Sequence, residues 1–168
     1  MADLYVSWSD YHQAIERLAA KVHESGWRFN QVVCIARGGL RVGDIVSRIF
    51  KLPLAIIFTS SYIAEGGTRR GEISVSRHMA MMTPELGDRV LLVDDLVDSG
   101  VTLDVVKRHL AEGHPDLKEL RTAVLWYKAV SRSKPDYFVD YLAESPWIHQ
   151  PFEPYDVMTA DDLRTRRA

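Results

Sequence analysis

The sequence holds a single cysteine, Cys34, among 168 residues. A disulfide within the chain is therefore excluded, and a reducing compartment is expected. Cys34 sits in the apolar run VVCIA, where it reads as a buried small hydrophobe rather than a nucleophile. No apolar run is long enough to cross a bilayer. The opening MADLYVSWSD is polar and lacks the apolar stretch of a secretory signal, so the cytoplasm is the expected location. Neither sign of charge dominates: 21 Lys and Arg face 23 Asp and Glu. That balance gives no reason to expect nucleic acid or an anionic membrane as a partner. Six histidines are scattered without ligand spacing, so a structural metal site is not expected. Repeats and low-complexity segments are lacking too.

What remains is the pattern of one compact α/β domain spanning 1–168. Residues 7–25 read as an amphipathic helix. Ser7 and Asp10 have capping-box spacing, and Tyr11, Ile15, Leu18 and Val22 fall on one face. Short apolar runs at 31–36 and 54–60, and RVLLVD at 89–94, have the look of buried parallel strands. Helical spacing follows the first at 41–50 and the third at Leu103, Val106 and Leu110. Segments 119–127 and 137–142 are further strands. Residues 62–78 are polar and poorly periodic, and most of them read as a long loop, a length that usually marks function. Met79, Met81 and Met82 are expected to pack beside it. Alternating strand and helix implies a mostly parallel twisted sheet flanked by helices. Ligands then bind at the carboxyl ends of the strands.

The segment VLLVDDLVDSGVTL, residues 90–103, carries the densest chemistry. An apolar strand delivers Asp94 and Asp95, and Asp98 follows. Ser99, Gly100, Val101 and Thr102 then open a helix, where free N–H groups and two hydroxyls make a cradle for phosphate. Gly100 permits close approach or a positive φ. The carboxylates suit sugar hydroxyls or a magnesium ion, which prefers hard oxygen ligands. Phosphate at one end and a diol or metal at the other describes a sugar phosphate.

This pattern of strand, Asp-Asp, two residues and Asp-Ser-Gly-x-Thr resembles the phosphoribosyl-diphosphate motif of type I phosphoribosyltransferases, and the likeness runs from Tyr5 to Glu153. It implies phosphoribosyl diphosphate as a substrate, Mg2+ as cofactor with Asp94 and Asp95 as its ligands, and Asp98 as the catalytic base. Arg37-Gly38-Gly39 is similar to the family's diphosphate loop. Ser61 and Tyr62, with Arg69 and Arg70, resemble its mobile loop. The region after strand 119–127 is similar to the base site of xanthine-guanine and hypoxanthine enzymes, with Lys128, Trp147, Ile148 and Glu153 as base-binding residues. The implied layout is a core at about 28–142, a small hood at about 143–158 built from the carboxyl-terminal segment and possibly the amino terminus, and a charged tail at 159–168. The implied activity is purine salvage on a 6-oxopurine by a homodimer or homotetramer. Two alternatives stay open: a ligand-binding regulator on the same fold, or an enzyme for a different base. Departures from the pattern are Ala129 after Lys128, His149, Glu153 in place of aspartate, and Val101 in the phosphate cradle, where backbone contacts should tolerate it.

Overall fold

The computed structural model describes residues 3–61 and 73–165. The chain begins with a two-residue strand, β1 (Leu4–Tyr5), and turns at Ser7 into α1 (Trp8–Glu24). The reciprocal cap forms as the spacing predicts: Asp10 N–H donates to Ser7 Oγ at 3.1 Å, and Ser7 N–H donates to Asp10 Oδ2 at 3.3 Å. Tyr11, Ile15, Leu18 and Val22 are buried on the inner face. Next come β2 (Gln31–Ala36), α2 (Leu40–Phe50) and β3 (Leu54–Ser61). Two short strands, β4 (Ile73–Val75) and β5 (Ala80–Met81), lead to β6 (Arg89–Val97) and α3 (Val101–Gly113). The chain then runs through β7 (Glu119–Lys128), β8 (Tyr137–Leu142), β9 (Ile148–His149), α4 (Pro154–Val157) and α5 (Ala160–Thr165).

The main sheet has the order β4-β3-β2-β6-β7-β8. Strands β3, β2, β6, β7 and β8 are parallel, and β4 and β5 pair antiparallel with β3. Helices α1 and α2 cover one face, where Leu91 and Val93 meet Tyr11, Val42 and Val46. Helix α3 covers the other, where Val90 and Leu92 meet Leu103, Val106 and Leu110. Chain order runs outward from β2 to β3 in one direction and from β6 to β8 in the other. The crevice between β2 and β6 is thus a topological switch point, where such sheets bind ligands.

Four features differ from the sequence expectation. Strand β6 continues past Asp94 to Val97, because Leu96 and Val97 keep pairing with Trp126 and Tyr127. The acid pair therefore lies inside the strand rather than after it. Within 62–78, Ile73–Val75 is a strand, paired with Thr59–Ser61. A second, two-stranded sheet joins β1 to β9, with Leu4 opposite Ile148. Met79 and Met81 pack against the α3-side core as expected, whereas Met82 is 97% exposed. Cys34 is fully buried, and burial pushes its thiol up to about 12, which leaves it unreactive. Among the described residues no helix is long and apolar enough to cross a membrane.

Candidate active site

The loop after β2 and the turn after β6 meet at the switch point. Arg37, Gly38 and Gly39 form the first, and Ala36–Arg37 is a cis peptide bond. Both glycines are required by contact. A Cβ on Gly38 would lie 2.5 Å from Asp95 Oδ1, and one on Gly39 would lie 2.7 Å from the Val93 carbonyl and 2.8 Å from that of Ile35. Gly39 N–H already donates to the Ile35 carbonyl at 2.8 Å. Its part in the bend is therefore its missing side chain, not a free amide.

The turn after β6 is equally crowded. Gly100 has φ +80, and a Cβ there would lie 2.6 Å from Ser131 Oγ and 2.8 Å from Ser133. Arg132 N–H donates to the Ser99 carbonyl at 3.2 Å. The loop after β7 thus braces the cradle from behind. Helix α3 starts at Val101, so its first amides lack intrahelical partners and point toward the turn. Val101 N–H lies 3.5 Å from Ser99 Oγ.

Asp94, Asp95, Asp98, Ser99, Gly100 and Thr102 line one cleft of about 210 Å³, and Gln150 lines it with them. Burial, and then the neighbouring Asp95 charge, pushes the Asp94 carboxyl well above the usual range. Burial also raises Asp95, while a hydrogen bond from Gln150 pulls the other way. Tyr11 is buried beneath this site. Burial, and then Asp95, raises its hydroxyl out of the physiological range, so it stays neutral.

At the β7 end, Lys128 is 5% exposed and its Nζ lies 3.5 Å from Asp98 Oδ1. The same Nζ stands 5.9 Å from the centre of the Trp147 ring, which is largely exposed. Lysine, acid and indole therefore converge beside the cleft. Ile148 is different. Its side chain is buried in the core, and the flanking residues turn their carbonyls to β1, with Leu4 N–H on Trp147 O and Val6 N–H on His149 O. Only the backbone edge of Ile148 is left for a ligand. Glu153 pairs with His149 at 3.5 Å, and His149 also meets Asp3 at 3.0 Å and stacks on Tyr5. No described contact ties Glu153 to Lys128 or Trp147.

Arg37 extends to the far side of the Gly38 bend. There it pairs with Asp156 at 3.2 Å and lines a second cleft of about 450 Å³ with Arg41, Phe152 and Tyr155. Arg41 is held between the Trp8 and Phe152 rings. For the loop residues, the backbone of Ser61 closes β3, and Tyr62, Arg69 and Arg70 lie outside the described residues. Ser131, Ser133 and Gln150 belong to the site's support and were not singled out from sequence. For Gln150 the available signal was its place in the run Gln150-Pro151-Phe152-Glu153, which ends on the candidate base-binding acid.

A model of the phosphoribosyl transferase domain matches residues 7–156. Among solved structures, the chain is similar to a purine phosphoribosyltransferase from Pyrococcus horikoshii Ot3. Identity is 31%, coverage is 95% of this chain and 99% of that one, and the TM-score is 0.71. It is also similar to a xanthine-guanine-hypoxanthine phosphoribosyltransferase from Helicobacter pylori, with 25% identity, 99% of each chain covered and a TM-score of 0.76. A hypothetical protein from Neisseria gonorrhoeae, solved with bound ppGpp, shares the fold at 21% identity, with 99% and 96% covered and a TM-score of 0.70. A strand-borne acid pair, a phosphate-type turn and a domain match over nearly the whole length lead to one conclusion: this chain belongs to the type I phosphoribosyltransferase family.

Proposed function

We propose that this protein transfers the 5-phosphoribosyl group from phosphoribosyl diphosphate to a 6-oxopurine, releasing diphosphate and a nucleoside monophosphate. One observation carries the base class. The ammonium of a buried lysine, Lys128, lies 3.5 Å from Asp98, which lines the Asp94–Thr102 cleft, and 5.9 Å from the centre of the Trp147 ring. A lysine there suits a carbonyl oxygen that gains negative charge, and the indole face suits a purine ring. The likeness to the purine phosphoribosyltransferase from Pyrococcus horikoshii supports a purine, and the likeness to the xanthine-guanine-hypoxanthine phosphoribosyltransferase from Helicobacter pylori supports a 6-oxopurine.

In this reading Ser99, Gly100, Val101 and Thr102 hold the 5-phosphate through hydroxyls and helix amides. Asp94 and Asp95 take the ribose hydroxyls. A bond forms between a purine ring nitrogen and C1 of the ribose. The bond from C1 to diphosphate breaks, and its electron pair leaves with the diphosphate. The ring proton passes to Asp98, the acid beside Lys128. The Gly38-Gly39 bend and Arg37, once released from Asp156, would hold the departing diphosphate, with Arg69 and Arg70 as further cations. Tyr62, which follows Ser61 at the end of β3, belongs to the loop that would exclude water. Ile148 meets the base through its backbone, and Glu153 acts near the substituent at position 2.

Magnesium fits this site in a particular way. Asp94 and Asp95 offer hard oxygens, and no cluster of three or more potential ligands occurs among the described residues. The ion would complete its shell with substrate oxygens and water, as magnesium commonly does. When bound, it would neutralise charge on the diphosphate. The same reading makes the protein a cytoplasmic purine-salvage enzyme working as a homodimer or homotetramer.

The test is a base panel. Protein, phosphoribosyl diphosphate and magnesium are incubated with guanine, xanthine, hypoxanthine, adenine, uracil and orotate, and diphosphate release is followed. Turnover with one or more 6-oxopurines is expected. Turnover with adenine or orotate alone would overturn the base class. Binding of phosphoribosyl diphosphate without turnover on any base would point to a regulator.

A further inference from the structure

Gln150 is 7% exposed and follows directly on β9. Its Nε2 donates to Asp95 Oδ2 at 2.6 Å, a buried bond across 55 positions of sequence. The other oxygen of Asp95 is confined by the Gly38 bend, where a Cβ would lie 2.5 Å away. The carboxylate is thus fixed between backbone on one side and an amide on the other. An ionised carboxylate only accepts hydrogen bonds, so the amide must present Nε2 to it. The amide oxygen, Oε1, is buried and finds no partner among the described residues.

A buried amide with its oxygen unpaired is costly, and what offsets that cost is the donor it supplies to the Asp95 carboxylate. The residue therefore makes sense through its bond to Asp95. We infer that Gln150 is a positioning residue for phosphoribosyl diphosphate: it holds the Asp95 carboxylate in the orientation that receives the ribose hydroxyls. The inference rests on the reading of Asp95 given above. It adds that the segment carrying Trp147 also sets the sugar-binding acid, so one stretch of chain serves both substrates.

The test compares wild type, Gln150→Leu, Asp95→Asn and the double variant. Phosphoribosyl diphosphate affinity is measured by calorimetry with magnesium present, alongside steady-state kinetics and Tm. In Gln150→Leu the affinity should fall about tenfold or more, the size of one charge-assisted hydrogen bond. Its kcat should change less, the KM for the base should hold, and Tm should fall, since Asp95 Oδ2 loses its donor. In the Asp95→Asn background, adding Gln150→Leu should cost no further affinity. Unchanged affinity in Gln150→Leu overturns the inference while leaving the proposed function intact. So does a result in which both KM values rise together and the two substitutions add, because that is a packing role. Failure of wild type to bind phosphoribosyl diphosphate overturns the proposed function, and this inference with it.

Discussion

Asp98 stands apart from the other two acids of its segment. Asp94 and Asp95 lie within β6, where burial pushes both carboxyls upward. Asp98 lies past the strand end, and about half of its side chain is exposed. Its neighbour Lys128 is buried, and a buried ammonium needs an opposite charge close by. The pair therefore explains both residues: Asp98 makes the burial of Lys128 tolerable, and Lys128 keeps Asp98 next to the place a base would occupy. Asp98→Asn preserves shape and one acceptor oxygen but cannot take a proton. It should lower kcat by about 10²–10⁴-fold, the usual worth of a general base. Affinity for phosphoribosyl diphosphate should change little, since the phosphate cradle and the acid pair are untouched. Single-turnover rates and calorimetry measure the two separately. Equal losses in both would remove Asp98 from the role of base.

Helix α3 offers an internal contrast, because a glycine stands at each end. Gly100 has a positive φ and no room for a Cβ against Ser131 and Ser133. Gly113 closes the helix with open space around it. Gly100→Ala should cost about 1–3 kcal/mol through strain and the displaced serine loop. Gly113→Ala should be neutral or stabilising by roughly 0.5–1 kcal/mol, through helix propensity and a less flexible unfolded chain. Denaturant titration of both variants checks this, and equal effects would contradict the packing described. The requirement at Gly100 was partly legible beforehand, since its place in Asp-Ser-Gly-x-Thr pointed to a special φ. The serines that crowd it were not legible, because they arrive from the loop after β7. The same division holds across the fold. Helix α1, strands β2 and β3 and helix α3 announced themselves through periodicity, because each buries a face along its own length. Strands β1 and β9 are two residues each and exist only by pairing with one another across most of the chain. Local pattern carries no trace of such a pairing. Arg37 was legible as a cation beside a glycine bend, but its pairing with Asp156 depends on where α4 comes to rest.

At the scale of the whole molecule, the sheet order sets a conflict between stability and binding. Placing the switch point between β2 and β6 drives Asp94 and Asp95 into the end of a packed sheet. Both carboxyls hold their protons more tightly folded than unfolded. A raised acid stabilises the fold fully below the ordinary aspartate value of 3.8, and that contribution is lost as pH climbs through the raised values. A ligand that needs the ionised acids is favoured in the opposite sense. Unliganded protein should therefore lose Tm with rising pH across this window, while affinity for phosphoribosyl diphosphate with magnesium rises across it. Other carboxylates tilt the curve the other way; Asp88, held low by hydrogen bonds from Lys118 and Asn30, is one. The informative quantity is thus the difference between wild type and Asp94→Asn at each pH. The variant should be more stable than wild type at neutral pH, by about 2–4 °C for each kcal/mol recovered. Its advantage should vanish toward acid pH, and its binding of phosphoribosyl diphosphate should be weaker throughout. A gap in Tm that stays constant with pH would show that Asp94 does not titrate in this range, and the stability cost of the site would then have to lie in other residues.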